Sequence, residues 1–155
     1  MKNRPLIAAV AATLLACVSL AVAEGVSLEG VKCVFAPRAV KATNSADWKE
    51  GKVYFCCGNC QSKFEGMSKE EKEKLATKSN AQLVASKQYE QKACPISGGG
   101  LNENATSEVN GVKVAFCCNN CKGKVDKLEG DEQLDMVFGE KAFEKAKFTK
   151  VEAKN

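Results

Sequence analysis

Eight cysteines arranged as two gapless copies of one pattern constrain this chain more than any other feature. Cys33 is followed, after 22 residues, by Cys56-Cys57-Gly58-Asn59-Cys60; Cys94 is followed, after 22 residues, by Cys117-Cys118-Asn119-Asn120-Cys121. Each cysteine of the second set stands 61 positions after its counterpart. The same offset matches Lys52 with Lys113, Val53 with Val114, Phe55 with Phe116, Asn59 with Asn120 and Lys63 with Lys124. Four cysteines and five further identities in one register describe an internal duplication. A unit of 61 residues has little core of its own, so a metal ion or a disulfide is expected to staple each copy.

Composition narrows the chemistry. The 155 residues suit one ordinary domain or two very small ones, and they include no histidine. That absence excludes Ser-His-Asp and Cys-His catalysis, His-containing zinc sites and histidine-ligated haem. No carboxylate cluster of the kind calcium or magnesium requires is visible in the sequence.

The ninth cysteine, Cys17, lies in the leader. Lys2 and Arg4 precede an uncharged run from Leu6 to Ala23, which ends in Ala21-Val22-Ala23 before Glu24. This is the three-part pattern of a secretory signal peptide, with cleavage expected after Ala23 and a periplasmic or secreted destination. Two rivals are lipidation at Cys17, because Leu14-Leu15-Ala16-Cys17 loosely resembles a lipobox, and retention as an anchor. The run of 18 residues is at the short edge of what spans a bilayer. Without residues 1–23 the chain keeps 21 basic against 19 acidic residues. Such a balance lacks the basic stripe of a nucleic-acid binder, and Ser68-Lys-Glu-Glu-Lys-Glu-Lys74 reads as a solvated helix face.

Each copy has a readable local order. A short extended piece carries the first cysteine, Gly30 to Phe35 in one copy and Gln91 to Ile96 in the other. The glycines of Ser97-Gly98-Gly99-Gly100 call for tight turns. Val109-Asn110-Gly111-Val112 predicts a two-residue hairpin turn, with Glu50-Gly51 near the equivalent place. The return strands, Lys52–Phe55 and Lys113–Phe116, run straight into the cysteines. Helices should follow, capped by Asn59 and Asn120. Ser68 with Glu71 is a capping box for a helix to about Lys78, and Asn80–Ser86 predicts another. Glu132–Phe138 and Glu140–Lys147 occupy similar territory in the second copy, and 151–155 form a tail.

A strand entering Cys-Cys-x-x-Cys before a helix aims backbone N–H groups and the positive helix end at sulfur, which favours thiolates and metal ligation. The pattern, with Tyr54-Phe-Cys-Cys-Gly-Asn-Cys-Gln-Ser-Lys-Phe64, resembles the TRASH/YHS-like domains, small treble-clef-like modules of heavy-metal trafficking, resistance and sensing. Cys94-Pro95-Ile96-Ser97-Gly98 also resembles the opening of such a domain. The resemblance covers residues 31–68 and 92–129. It implies Cys33, Cys56 and Cys60, and Cys94, Cys117 and Cys121, as ligands.

The residues themselves leave the ligand set open. Adjacent cysteines diverge, so Cys57 and Cys118 either supply an outer thiol or pair with Cys60 and Cys121 in Cys-x2-Cys knuckles. Four thiolates suit zinc; two or three soft sulfurs suit copper(I). An exported chain with an even number of cysteines can instead form structural disulfides, and Cys-x2-Cys at a strand–helix junction can exchange them. Met67 and Met136 and all seven phenylalanines are assigned to core packing. Trp48, placed in the polar loop before the first hairpin, is either a contact residue or a lid. Asn104-Ala105-Thr106 meets the glycosylation pattern, which matters only in a eukaryotic secretory route.

The expectation is an α+β chain of two tandem, cysteine-rich, treble-clef-like modules, each with a β-hairpin, a cysteine knuckle and helices, over 24–86 and 87–150. It is read as a non-catalytic, exported metal-binding protein. Its partners are a metal ion and a protein in metal transfer, with no nucleic acid and no membrane unless Cys17 is lipidated.

Overall fold

A computed structural model describes residues 25–152 of the chain. The leader, with the expected cleavage after Ala23 and lipidation at Cys17, and residues 153–155 of the tail lie outside the described residues. Among the described residues no helix is long and apolar enough to cross a membrane.

The first repeat comprises β1 (Lys32–Cys33), β2 (Ala36–Ala39), β3 (Lys41–Trp48), β4 (Gly51–Phe55), α1 (Gly58–Glu65), α2 (Lys69–Glu73) and α3 (Ala76–Ala85). The second comprises β5 (Tyr89–Glu90), β6 (Asn102–Val109), β7 (Val112–Phe116), α4 (Asn119–Val125), α5 (Gly130–Phe138), α6 (Glu140–Lys145) and β8 (Thr149–Lys150). The strands form four antiparallel pairs, β1–β2, β3–β4, β5–β8 and β6–β7.

The two long hairpins repeat residue for residue. Ser45 faces Tyr54, Ala46 faces Val53 and Asp47 faces Lys52; Thr106 faces Ala115, Ser107 faces Val114 and Glu108 faces Lys113. Every partner is displaced by the same 61 positions, and so is the register shift between Lys41 and Ser45 or Asn102 and Thr106. Asn110 and Gly111 take φ of 51° and 77°, the left-handed pair that an Asn-Gly hairpin turn uses. Strand alternation buries Val53 and Phe55, and Val114 and Phe116, while Lys52 and Lys113 face solvent.

The helices that follow differ between the copies. Ser68 caps α2 with the expected capping box, but the helix ends at Glu73 rather than near Lys78. The chain bends at Lys74–Leu75, and α3 starts at Ala76, upstream of the expected Asn80. The bend seats Leu75 against a small core of Cys33, Val34, Val53, Phe55 and Phe64. It also sends Ala81 and Leu83 into a larger core with Phe116, Val125, Leu134, Phe138, Phe143 and Phe148 of the second repeat. Gly51 lets α3 come close: a Cβ there would lie 2.8 Å from Leu83 Cδ2 and 2.9 Å from Gln88 Oε1.

Asn80 on α3 ties the copies together. Its Oδ1 accepts from Trp48 Nε1 at 2.9 Å, and its Nδ2 donates to Phe138 O at 3.0 Å and Glu140 Oε1 at 3.1 Å. Trp48 ends β3, opposite Gly51, rather than lying in a loop, and it packs against both cores. The core assignment of the methionines also fails: Met136 is 39% exposed and Met67 is half-buried. At the end of the described chain, the Val151 N–H donates to Gln88 O, which extends the β5–β8 pairing into the expected tail.

Candidate metal centres

Strand β4 delivers Cys56 directly after the buried Phe55, and α1 places Cys60 one turn later. Phe64, one turn further, anchors α1 with its ring 5.3 Å from that of Phe55 and 6.1 Å from Trp48. Strand β1 brings Cys33 to the same point from the other end of the repeat. The Sγ atoms of Cys33, Cys56 and Cys60 lie within 4.8 Å of one another, as do those of Cys94, Cys117 and Cys121. Within the triads, Cys56 and Cys60 are 3.8 Å apart and Cys117 and Cys121 3.5 Å. A tetrahedral ion with metal–sulfur bonds of about 2.3 Å separates its sulfurs by about 3.8 Å. The donor sets and spacings thus fit a thiophilic ion, and the described residues hold two clusters capable of ligating metal.

Cys57 and Cys118 fall outside these triads. They, rather than Asn59 and Asn120, are the N-caps of α1 and α4, with extended backbones of φ −158°, ψ 165° and φ −163°, ψ 167°. Neither side chain closes a full capping hydrogen bond, and each cap lies two residues before its asparagine because the strand turns at the cysteine pair. Both thiols are exposed, 3.9 Å from Cys56 Sγ and 3.6 Å from Cys117 Sγ. All eight described cysteines are free thiols in this structure.

The thiols split by environment. Burial pushes Cys60 and Cys121 up to about 12, assisted by hydrogen bonds and charge from neighbouring sulfurs. Burial likewise raises Cys33 and Cys94, but donors outweigh it. For Cys33 these are the backbone N–H groups of Cys56 and Phe35, with the thiols of Cys56 and Cys60, and the pKa is lowered. For Cys94 the Ser97 hydroxyl leads, followed by N–H groups of Cys117, Ser97 and Ile96, and the thiol falls to about 7. Cys57 is lowered by the backbone N–H and thiol of Cys60, and Cys118 by the backbone N–H of Cys121 and the thiol of Cys117. A thiol that ionises readily is a better ligand and nucleophile.

Ser97 is a site residue to which sequence reasoning assigned no role. Its hydroxyl lies 3.2 Å from Cys117 Sγ and accepts the Gly99 N–H at 3.1 Å. Gly98, at φ 74°, closes this turn: its N–H donates to Cys94 O, and Cys94 N–H donates to Gly99 O. Here the expected extended piece is a turn, whereas Cys33 does lie on a strand. The available signal was the repeat alignment itself, in which Ala36 occupies the place of Ser97. In the first centre Phe35 stacks near Phe55, and Lys63 Nζ sits 4.8 Å from the Phe35 ring centroid.

No known family, no curated protein and no solved structure matches the chain significantly.

Proposed function

We propose that this protein is an exported metal carrier. In this reading two TRASH/YHS-like, treble-clef-like modules, over 24–86 and 87–150, each hold one zinc or copper(I) ion. Cys33, Cys56 and Cys60 ligate the first ion; Cys94, Cys117 and Cys121 ligate the second. The role is sensing, buffering or handing on heavy metal, without turnover. One observation carries the reading: in both repeats, three sulfurs from two distant chain segments converge within 4.8 Å, with Cys33 buried in the first triad and Cys94 and Cys121 in the second. Three protein thiolates leave zinc a fourth coordination position for a donor or acceptor, which a trafficking site needs and a closed structural site lacks. Transfer to a partner protein and export through the leader belong to the same proposal.

Native mass spectrometry of the mature protein, isolated without reductant from its own compartment, tests it. Two bound ions with the thiols reduced is the expected result. A metal-free mass lower by about eight hydrogens, as four disulfides would give, overturns it in favour of a disulfide-stapled module.

A further inference from the structure

We infer that Cys57 and Cys118 are the exchange ligands of the two centres, the thiols through which a metal ion passes between an external thiolate donor and the sulfur triads. This inference rests on the metal-carrier reading and assigns the route by which the sites load. The first observation is access. Cys33 is 6% exposed and Cys94 0%, so neither offers a bulky donor a first contact, whereas Cys57 and Cys118 are the exposed members of their clusters. The second is that packing gives these two side chains no role: Cys56, Cys60, Cys117 and Cys121 take part in the apolar cores, and Cys57 and Cys118 do not. The third is repetition. Both stand at the first turn of a helix with near-identical extended backbones, in two copies whose surrounding loops have diverged.

Distance connects them to the triads. Two metal–sulfur bonds of about 2.3 Å can bridge sulfurs up to about 4.6 Å apart. Separations of 3.9 Å from Cys57 to Cys56 and 3.6 Å from Cys118 to Cys117 fall inside that reach. One ion can therefore be held by both before it leaves the first. In the loading step the Cys57 sulfur bonds the ion as a donor sulfur leaves it, and the Cys57 proton goes to the departing thiolate. In the next step Cys56 bonds the ion, Cys57 releases it, and the Cys56 proton passes to the Cys57 thiolate. Each step exchanges one metal–sulfur bond for another, and no oxidant or reductant is consumed.

The test uses the full mature chain with zinc and copper(I), each supplied as its glutathione complex, and compares wild type with the double variant C57S/C118S by stopped flow. The expected result is uptake of two ions by both proteins, equilibrium affinities within about threefold, and loading at least tenfold slower in the variant. Loading at the wild-type rate overturns the inference, since exchange then bypasses these thiols. Loss of an ion, or an affinity lowered more than tenfold, overturns it as well, by making them resident ligands. If wild type takes up neither ion, the metal-carrier reading itself falls. A second measurement does not depend on the variant: alkylation of the metal-loaded wild type should label Cys57 and Cys118 while both ions stay bound. Protection of all eight cysteines contradicts the inference.

Discussion

The two repeats share a backbone and differ in how that backbone is covered. Hairpin register, register shift, helix start and sulfur placement recur at a constant offset of 61 residues. The outer edge of each return strand needs partners for its N–H and C=O groups in both copies, and glutamines from different elements meet that need in the two copies. Gln82 of α3 bonds the N–H and C=O of Tyr54 in the first repeat; Gln91, from the chain between β5 and β6, bonds those of Ala115 in the second. By alignment, Phe143 stands where Gln82 would, and Gly30 where Gln91 would. Duplication kept the frame that gathers sulfur, and the covering elements diverged as the copies packed against each other.

The largest expected effect probes the shared frame. Phe55→Ala and Phe116→Ala remove equivalent buried rings, and each should cost about 3–5 kcal/mol in urea unfolding. A cost confined to one of them would show that the hairpins do not carry equal weight. The next probes the divergent cover. Asn80→Ala strands the Trp48 Nε1–H and the Phe138 carbonyl and should cost about 1–3 kcal/mol. Its aligned counterpart Lys141 is exposed, and Lys141→Ala should stay within about 0.5 kcal/mol. Equal losses in the same unfolding assay would remove α3 as the joint between the repeats.

A smaller effect separates the centres. Ser97→Ala deletes the hydroxyl beside Cys117 Sγ and makes the second centre resemble the first, where Ala36 stands. Competition against a chromophoric chelator should show that centre weakened by about 1 kcal/mol, roughly fivefold, with the first unchanged. An unaffected second centre would mean that the serine only shapes the turn. The last effect is one of rate order within each repeat. In metal-free protein, raising the pH from 7 toward 9 ionises Cys57 and Cys118, which lie below the ordinary thiol value of 9.0. Over the same range Cys60 and Cys121, near 12, stay protonated. Cys33 and Cys94 are lowered too but are buried from the reagent, so iodoacetamide followed by peptide mass mapping should modify Cys57 and Cys118 first, in both repeats alike.

Much of the frame was legible from local signals. Asn110-Gly111 specified a hairpin turn because glycine and asparagine tolerate positive φ, and Ser68 with Glu71 specified a helix start through reciprocal hydrogen bonds. The helix caps after the cysteines were misplaced by two residues, since asparagine propensity was weighed without the turn that the strand imposes. Trp48 and the methionines were misassigned for a related reason: their burial depends on elements distant in sequence, which a residue's own identity does not reveal.

Sequence alone determined the duplication, the hairpin turn and the eight positions where sulfur stands, because each is encoded by local residue pattern. Tertiary structure decided which six of those sulfurs draw together, which two remain outside, and that Asn80 and Trp48 join the halves. Those outcomes rest on the return of β1 to the cysteine turn and on α3 lying between two cores. Contacts of that kind form only when segments far apart in the chain pack against each other.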